Sequence, residues 1–167
     1  RVPLARTAHG WGAPRQIGEG GPVMNASVGG FDWDGNGYPD LLARRASDGG
    51  LWLYPNNGRG GFGSPRQIGW GWQSMSAITM IGNLRSGPAL VARDATGRLV
   101  TYRGDGRGGF NGTVRLGQGW NAMTTLIGVG DASGDGHADL IARDRDGFLW
   151  RSPGVGQGSV GARTELG

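Results

Sequence analysis

Two loops of the sequence carry oxygen-bearing side chains at alternate positions, a spacing that can bind a metal ion. In residues 32–40 and 131–139 these side chains occupy the first, third, fifth and ninth positions. Alternate spacing directs them into a tight loop, and a glycine at the sixth position lets the seventh carbonyl face the ion. Hard oxygen ligands favour Ca²⁺ over zinc or copper. We predict two Ca²⁺ sites, with ligands Asp32, Asp34, Asn36, Tyr38 (carbonyl) and Asp40 in the first loop and Asp131, Ser133, Asp135, His137 (carbonyl) and Asp139 in the second.

Ordinary turns are the alternative explanation, because Asp, Asn and Gly are common in any turn. Two such loops at equivalent places in a repeating chain favour the metal. Neither loop is an EF-hand, since flanking helices are not evident and the bidentate Glu at position 12 is missing. A third, central copy (residues 83–90) is shorter, has no carboxylate and carries Arg85, so we predict no ion there. An ion that one copy can lack is typical of a structural ion that stabilises individual units, and not of a catalytic centre.

Tryptophans beside amide side chains suggest a second kind of site. Trp72 and Trp120 each follow Gly-x-Gly and precede a polar residue, Gln73 and Asn121 respectively. An exposed indole can stack on a sugar ring while the amide bonds its hydroxyl groups. The alternative is that both indoles pack between neighbouring repeat units. The pattern therefore predicts a carbohydrate-binding site at these four residues or a packing role for the two rings.

Catalysis has little support in the sequence. The two histidines, His9 and His137, lie in different contexts, and the only glutamates are Glu19 and Glu165. No nucleophile has a credible base near it. A glycosidase that pairs two aspartates from different units is the remaining enzymatic alternative. We predict that the protein is not an enzyme.

The loops lie within a unit that repeats about every fifty residues. Gly18, Gly69, Gly117 and Gly167 mark the same point at spacings of 51, 48 and 50 residues, and residues 14–18 recur as residues 65–69. A fixed period of this size is the signature of a repeat architecture. The chain of 167 residues contains 37 glycines without a collagen period, and its apolar residues form short runs. This composition favours a turn-rich all-β chain.

Each unit reads as four short antiparallel strands. In the third copy they are predicted at residues 124–130, 139–144, 148–151 and 163–167, joined by polar or glycine-rich turns. Four strands per unit of this length are typical of a β-propeller blade. We predict one all-β repeat domain over residues 1–167, with an N-terminal remnant of a blade (1–24) and three complete blades (25–69, 70–117 and 118–167).

The D-x-D-G-N-G-x-x-D loop, the fifty-residue period, and the segments 62–65 (FGSP) and 11–14 (WGAP) resemble the FG-GAP/VCBS repeats of integrin-like β-propellers. The resemblance covers nearly the whole chain. It implies Ca²⁺ in the loop between the first two strands of a blade, and commonly a ring of seven blades. Some relatives are lectins that bind sugars between blades, and others are adhesion surfaces or parts of secreted hydrolases. Such repeats are frequent in secreted actinobacterial proteins, a type that the use of arginine without lysine also suits.

Counting predicted segments gives four blade tails but three blade heads, so this chain cannot close a ring alone; further blades or a partner must complete it. The net charge of +4 is spread along the chain, which argues against nucleic-acid binding. Cysteine is absent, and no stretch is long enough to span a bilayer.

A start at Arg1 suits a mature secreted form or a piece of a longer chain. We predict an extracellular, lectin-like module that binds a glycan. The alternative is a protein-interaction module or an auxiliary domain of a larger secreted hydrolase or toxin complex.

Overall fold

The computed structural model describes residues 6–7, 10–11, 16, 23–84 and 87–167. Within them the strands are β1 (Arg6–Thr7), β2 (Gly10–Trp11), β3 (Met24–Gly29), β4 (Leu41–Arg45), β5 (Leu51–Tyr54), β6 (Arg66–Gly69), β7 (Met75–Leu84), β8 (Gly87–Asp94), β9 (Leu99–Gly104), β10 (Phe110–Gly117), β11 (Met123–Gly130), β12 (Asp139–Asp144), β13 (Leu149–Ser152), β14 (Gly154–Gly156), β15 (Ser159–Val160) and β16 (Thr164–Glu165). Two single-turn 3-10 helices, Trp72–Ser74 and Trp120–Ala122, precede β7 and β11.

These strands form three antiparallel sheets of four strands each. Their orders are β3-β4-β5-β6, β7-β8-β9-β10 and β11-β12-β13-β16, which we call blades 1, 2 and 3. Neighbouring strands in each blade are consecutive in the chain, apart from the inserted hairpin β14-β15 between β13 and β16. The predicted all-β class of propeller-type, four-stranded repeats is confirmed.

At the N-terminal end, β1 and β2 pair as a separate two-stranded ribbon. Most of the predicted blade remnant (1–24) lies outside the described residues, as do His9 and Glu19. The three sheets span residues 24–69, 75–117 and 123–165. The division of the chain into a remnant and three blades at the stated boundaries stays a prediction.

Alternation and turn chemistry explain the strands locally. In β5 the side chains alternate between buried and half-buried, as expected for a strand within a stack of sheets. Between the second and third strands of blade 2, Asp94 Oδ1 accepts hydrogen bonds from the Thr96 and Arg98 amides at 2.9 and 3.1 Å. Asp144 does the same in blade 3. These aspartate turns fix the hairpin and hence the strand register.

The hydrophobic core lies between the blades. One cluster joins blades 1 and 2 and includes Trp33, Leu53, Trp72 and Leu90. A second joins blades 2 and 3. Because each blade buries its faces against its neighbours, the stability of the stack is a sum of blades and of the junctions between them.

Arginine side chains fasten each junction. Arg44 of β4 donates from Nη1 to the Trp72 and Met75 carbonyls, at 3.0 and 2.5 Å, in the turn that begins blade 2. Arg93 of β8 repeats this contact to the Trp120 and Met123 carbonyls, at 2.9 and 2.5 Å, in the turn that begins blade 3. We call these contacts the arginine clamps. A guanidinium suits this role because it carries several donors in a fixed fork.

The segment predicted as a glycine-rich turn in blade 3 forms the additional hairpin β14-β15. Its turn docks on blade 2, where the Thr101 hydroxyl donates a buried hydrogen bond of 2.6 Å to the Gly158 carbonyl. A side chain at Gly158 would collide with Thr101 and Leu84, so the approach requires glycine. The hairpin therefore brings blade 3 residues to the edge of blade 2.

Candidate functional site

The first candidate loop, between β3 and β4, gathers three carboxylates. One oxygen from each of Asp32, Asp34 and Asp40 lies within 4.8 Å of the others. Among the described residues this is the one group of three or more acidic, histidine or cysteine side chains at such a spacing. The backbone turns here on Gly35 and Gly37, both of which have positive φ.

Asp40 anchors this loop to its own blade. Its Oδ2 accepts from the Trp33 and Asp34 amides at 2.8 and 3.1 Å, and its Oδ1 accepts from the Asn56 amide at 2.7 Å. The side chain is buried, and the bonds reach the loop that follows β5. Three backbone donors satisfy a carboxylate that would otherwise be costly to bury.

The remaining predicted ligands of the first loop hold its turn. Asp32 accepts from the Gly35 and Gly37 amides at 2.8 and 2.7 Å, and Asn36 Oδ1 accepts from the Tyr38 amide at 2.8 Å. Burial, followed by repulsion from Asp40, raises the pKa of Asp34. Among the described residues, the cation that pairs with this cluster is Arg66, whose Nη2 lies 3.9 Å from Asp34 Oδ2. Three crowded carboxylates with a single arginine at this distance fit a hard cation such as Ca²⁺.

The second candidate loop, between β11 and β12, repeats much of this geometry. Asp139 Oδ2 accepts from the Ser133 amide at 2.9 Å and its Oδ1 from the Gly154 amide at 2.8 Å. Asp131 accepts from the Gly136 amide at 2.8 Å, and such backbone bonds lower its pKa. Asp135 Oδ1 accepts from the His137 amide at 2.9 Å. Ser133 replaces the third-position carboxylate and Asp135 replaces the fifth-position amide, so each loop contains three aspartates in a different arrangement.

The central copy has a different local structure. In place of the paired strand ends and long loop of the other copies, β7 and β8 stay paired as far as Leu84 and Gly87. Arg85 lies outside the described residues. The prediction that this copy holds no ion stays a prediction.

The two tryptophans predicted as sugar platforms are buried. Trp72 is 5% exposed and belongs to the core between blades 1 and 2, where it contacts Tyr102 and Phe110. Trp120 is 9% exposed and belongs to the core between blades 2 and 3. Rings with so little exposed area cannot offer a whole face for stacking on a sugar. The structure therefore corrects the platform expectation for these rings in favour of the packing alternative.

The amide side chains beside them also contact the preceding blade. Asn121 Nδ2 donates to the Ala95 carbonyl at 3.1 Å, and the Gln73 side chain lies against Gly49. The backbone amide of Trp72 donates to the Gly49 carbonyl and that of Trp120 to the Gly97 carbonyl, both at 3.0 Å. These acceptors lie in equivalent turns of blades 1 and 2. Gln73 and Asn121 are thus exposed residues at the junctions between blades. The tryptophan that precedes each of them is buried.

A cavity of about 560 Å³ lies between blades 2 and 3, at residues that the sequence did not single out for ligand binding. Blade 2 contributes Leu84 and Arg103. Blade 3 contributes residues at the end of its candidate calcium loop and in the hairpin β14-β15, including His137, Val155 and Gln157. Because its walls belong to two blades, the junction and the second loop both determine its shape.

The cavity has a cause in the repeat pattern. In blade 1 the residue after the first loop position is Trp33, which is fully buried at the junction with blade 2 and packs against Phe110 at a centroid distance of 5.4 Å. In blade 2 the corresponding residue after Asn83 is Leu84, which is half-buried. A leucine fills less space than an indole, so the second junction is left open where the first is packed.

Another surface feature that sequence patterns missed is Trp70, which is 77% exposed. It lies between β6 and the turn that begins blade 2, and in the third copy the corresponding residue is Gln118. The repeat does not maintain a tryptophan at this point, which is why the pattern gave no reason to select it.

A model of the FG-GAP-like repeat matches residues 32–81 and 89–142, which together make up more than half of the chain. No curated protein matches the chain. Both matched segments run through a candidate calcium loop or the strands that flank it.

Proposed function

Because the chain belongs to the FG-GAP-like repeat family, we propose that it is a non-catalytic, Ca²⁺-stabilised binding module that recognises a carbohydrate. The observation that carries the proposal is the cavity between blades 2 and 3. Its walls combine apolar side chains with a few polar groups, the usual composition of a small-molecule site.

Calcium would act as a structural ion in this proposal. In the first loop the carboxylates of Asp32, Asp34 and Asp40 would hold it, with Asn36 and the Tyr38 carbonyl completing the set. In the second loop the donors would be Asp131, Ser133, Asp135, the His137 carbonyl and Asp139. The charge of the ion would offset the repulsion within each loop. Affinities of about 10⁻⁴ to 10⁻³ M are usual for extracellular calcium modules, and we place the protein in that environment.

The second loop links calcium to the cavity. His137 is predicted to offer its carbonyl to the ion, while its ring lies beside Gly156 and lines the cavity. Asp139, on the same loop, binds the Gly154 amide at the start of the hairpin β14-β15. An ion that fixes the loop would therefore also fix one wall of the cavity, and ligand binding should weaken when calcium is removed.

Two surfaces of the cavity suit a sugar. Leu84 and Val155 offer apolar area for the face of a pyranose ring, and Val155 is 59% exposed. His137, Gln157 and Arg103 offer groups that can hydrogen-bond with hydroxyls. A half-open site of this kind gives weak affinity on its own, which multivalent presentation raises.

A glycan array tests the carbohydrate proposal. The wild-type protein is screened with calcium and again with chelator, beside Leu84→Trp, which introduces the residue that blade 1 has at the corresponding place. We expect binding that calcium supports and that Leu84→Trp abolishes without unfolding the protein. Trp70→Ala is the matched variant outside the cavity. Loss of binding in Trp70→Ala alone would move the site to that exposed ring, and no glycan binding by folded protein would refute the proposal.

A protein-docking function is the second candidate, favoured by the outer face of blade 3. Positions that are buried where another blade follows are exposed here: Ile81 and Leu99 of blade 2 are at most 1% exposed, but their counterparts Val129 and Leu149 are 40% and 38% exposed. Ile127, on the same strand, is 43% exposed. This face could bind a further blade or another protein.

The same face carries a charge that its partner would have to satisfy. Arg151 stands where blade 2 has the buried Thr101, and its Nε is buried without a hydrogen-bond partner among the described residues. The expected partner is thus an apolar surface with an acidic group. Val129→Asp should abolish a co-purifying complex while leaving glycan binding unchanged. A complex that survives this change would exclude the face.

A further inference from the structure

Arg103 is the least expected residue in the wall of the cavity. It follows the segment Leu99–Tyr102 in the third strand of blade 2, at the place where blade 1 has Pro55 and blade 3 has Pro153. In the other two blades the strand is therefore followed directly by a ring that has no charge and no backbone donor. In blade 2 alone the repeat places a cation there, on the strand edge that faces the cavity.

The Arg103 guanidinium has no partner among the residues that the structure describes. Its Nε is buried and unpaired, and the group packs over Gly112 of β10, where an added side chain would come within 2.9 Å of Nη2. The residue as a whole is half-buried, but a buried donor such as this Nε is costly to leave without a hydrogen-bond partner. The compensation that this site can offer must come from the side that opens into the cavity.

None of the cavity-lining residues that the structure describes is acidic. The walls consist of aliphatic and glycine residues together with Arg103, His137 and Gln157. The Asp139 carboxylate of the neighbouring loop is already occupied by the Ser133 and Gly154 amides. The cavity therefore holds positive charge and hydrogen-bond donors without an internal anion.

Gln157 adds a strained donor to the same wall. Its φ of 52° is the one positive value among the described non-glycine residues, at the turn of the hairpin β14-β15. A left-handed conformation costs an ordinary residue on the order of 1 kcal/mol, and Asn or Gly fits such a turn better. Residues held in this way cluster at sites of binding. The amide is thus kept at the cavity despite its conformational cost.

We propose that the cavity between blades 2 and 3 selects acidic sugars, with Arg103 binding the carboxylate of a uronic acid and Gln157 a neighbouring hydroxyl. This inference rests on the carbohydrate function proposed above and specifies its ligand class. An arginine fork matches the two oxygens of a carboxylate and gives strong, charge-assisted hydrogen bonds. The apolar wall of Leu84 and Val155 then accommodates the ring.

The test compares a β-glucuronide with the β-glucoside that differs from it only at the carboxylate. Titration calorimetry in saturating calcium measures both ligands with wild type, Arg103→Gln, Arg103→Lys and Arg59→Gln. Arg59 is exposed in the hairpin of blade 1, so Arg59→Gln matches the change in net charge away from the cavity. We expect wild type to prefer the glucuronide about tenfold to a hundredfold, as one charge-assisted pair allows.

Arg103→Gln should lower glucuronide binding to about the level of glucoside binding in the same variant, Arg103→Lys should keep part of the preference, and Arg59→Gln should keep all of it. Equal binding of the two ligands by wild type would overturn the acidic-sugar inference and leave the carbohydrate function standing. Equal losses in Arg103→Gln and Arg59→Gln would also overturn it, since net charge would then be the cause. If sulfate or acetate binds as tightly as the glucuronide, the site takes small anions and the inference fails. Binding of neither sugar, with protein shown to be folded, would refute both proposals.

Discussion

Replacing Asp34 with asparagine should stabilise the protein in the absence of calcium and weaken its response to the ion. Asp34 is nearly isosteric with asparagine, and the substitution keeps an oxygen to accept the hydrogen bond from the Asn36 amide. What changes is the charge: Asp34 no longer repels Asp32 and Asp40, whose oxygens lie within 4.8 Å. The same carboxylate is a predicted calcium ligand. One substitution therefore tests both the repulsion among the three carboxylates without calcium and their part in binding the ion.

The expected sizes follow from Coulomb's law and mass action. Two unit charges 4.8 Å apart repel by about 0.9 kcal/mol in bulk water and about 3.5 kcal/mol at an effective dielectric constant of 20. The Asp34 side chain is 15% exposed, so the repulsion energy lies between these limits. We therefore expect Asp34→Asn to raise the free energy of unfolding in chelator by about 1–3 kcal/mol. At 10 mM calcium, a site with a dissociation constant of 10⁻⁴ to 10⁻³ M adds about 1.4–2.7 kcal/mol.

Differential scanning fluorimetry with chelator and with 10 mM calcium gives both quantities. Each kcal/mol shifts the Tm of a chain of this size by about 2–4 °C, so each loop should contribute roughly 3–10 °C of calcium response. Asp34→Asn should raise the Tm in chelator by a similar amount and lose the part of the response that belongs to the first loop. Adding Asp135→Ala should remove the remainder.

Asp48→Asn is the control, because Asp48 is an exposed aspartate whose partner is Arg45. It should leave the calcium response intact and should not raise the Tm in chelator. The reasoning would be refuted if Asp34→Asn lowered the Tm in chelator and kept the full calcium response. That result would mean that the three carboxylates are neither in conflict without the ion nor part of its site.

Further predictions concern pH, the junctions and the cavity turn. Burial raises the pKa of Asp34 above 3.8, so the stability that its protonated form gives without calcium is present below pH 3.8 and is lost as pH rises through the raised value. Chelator melts of wild type and Asp34→Asn should diverge over that interval, and saturating calcium should reduce the difference. Arg93→Lys should lower the free energy of unfolding in urea by about 1–2 kcal/mol, since a single ammonium cannot reproduce the fork that binds the Trp120 and Met123 carbonyls. An unchanged unfolding midpoint would show that the clamp does not stabilise the junction. Trp120→Ala should cost about 3–5 kcal/mol, as expected for a core indole, whereas a surface platform would leave the midpoint in place. Gln157→Asn should raise stability by about 0.5 kcal/mol because Asn adopts positive φ more readily, and calorimetry should show weaker ligand binding.

Much of the fold could be predicted from local patterns. The period of the glycine markers and the aspartate turns of blades 2 and 3 are local properties, and they help to identify the four strands of a blade. The predicted polar loop at 131–139 begins directly after β11 and ends at the first residue of β12. Asp40 and Asp139, at the ninth position, show why spacing is informative, since both fix the loop to its own blade.

The parts that sequence reasoning missed depend on contacts between units. Whether Trp72 is a platform or a core residue is decided by Tyr102 and Phe110, thirty residues or more along the chain. No sequence pattern distinguished Arg44 and Arg93 from the other arginines, yet both reach into the next blade. The cavity arises because one position is smaller in one unit than in another. A comparison of Trp33 with Leu84 could have suggested it, but only once the position was known to lie at a junction.

The arginine clamps have a consequence for how the chain folds during synthesis. In each clamp the donor belongs to the earlier blade and the acceptor carbonyls to the turn that begins the later one, 31 residues on for Arg44–Met75 and 30 for Arg93–Met123. At translation speeds of about 5–20 residues per second, an emerging blade must wait about 1.5–6 s before its arginine can be satisfied. Each new blade thus supplies the hydrogen-bond acceptors that the previous blade lacks. The blades therefore assemble one after another, starting from the N-terminus.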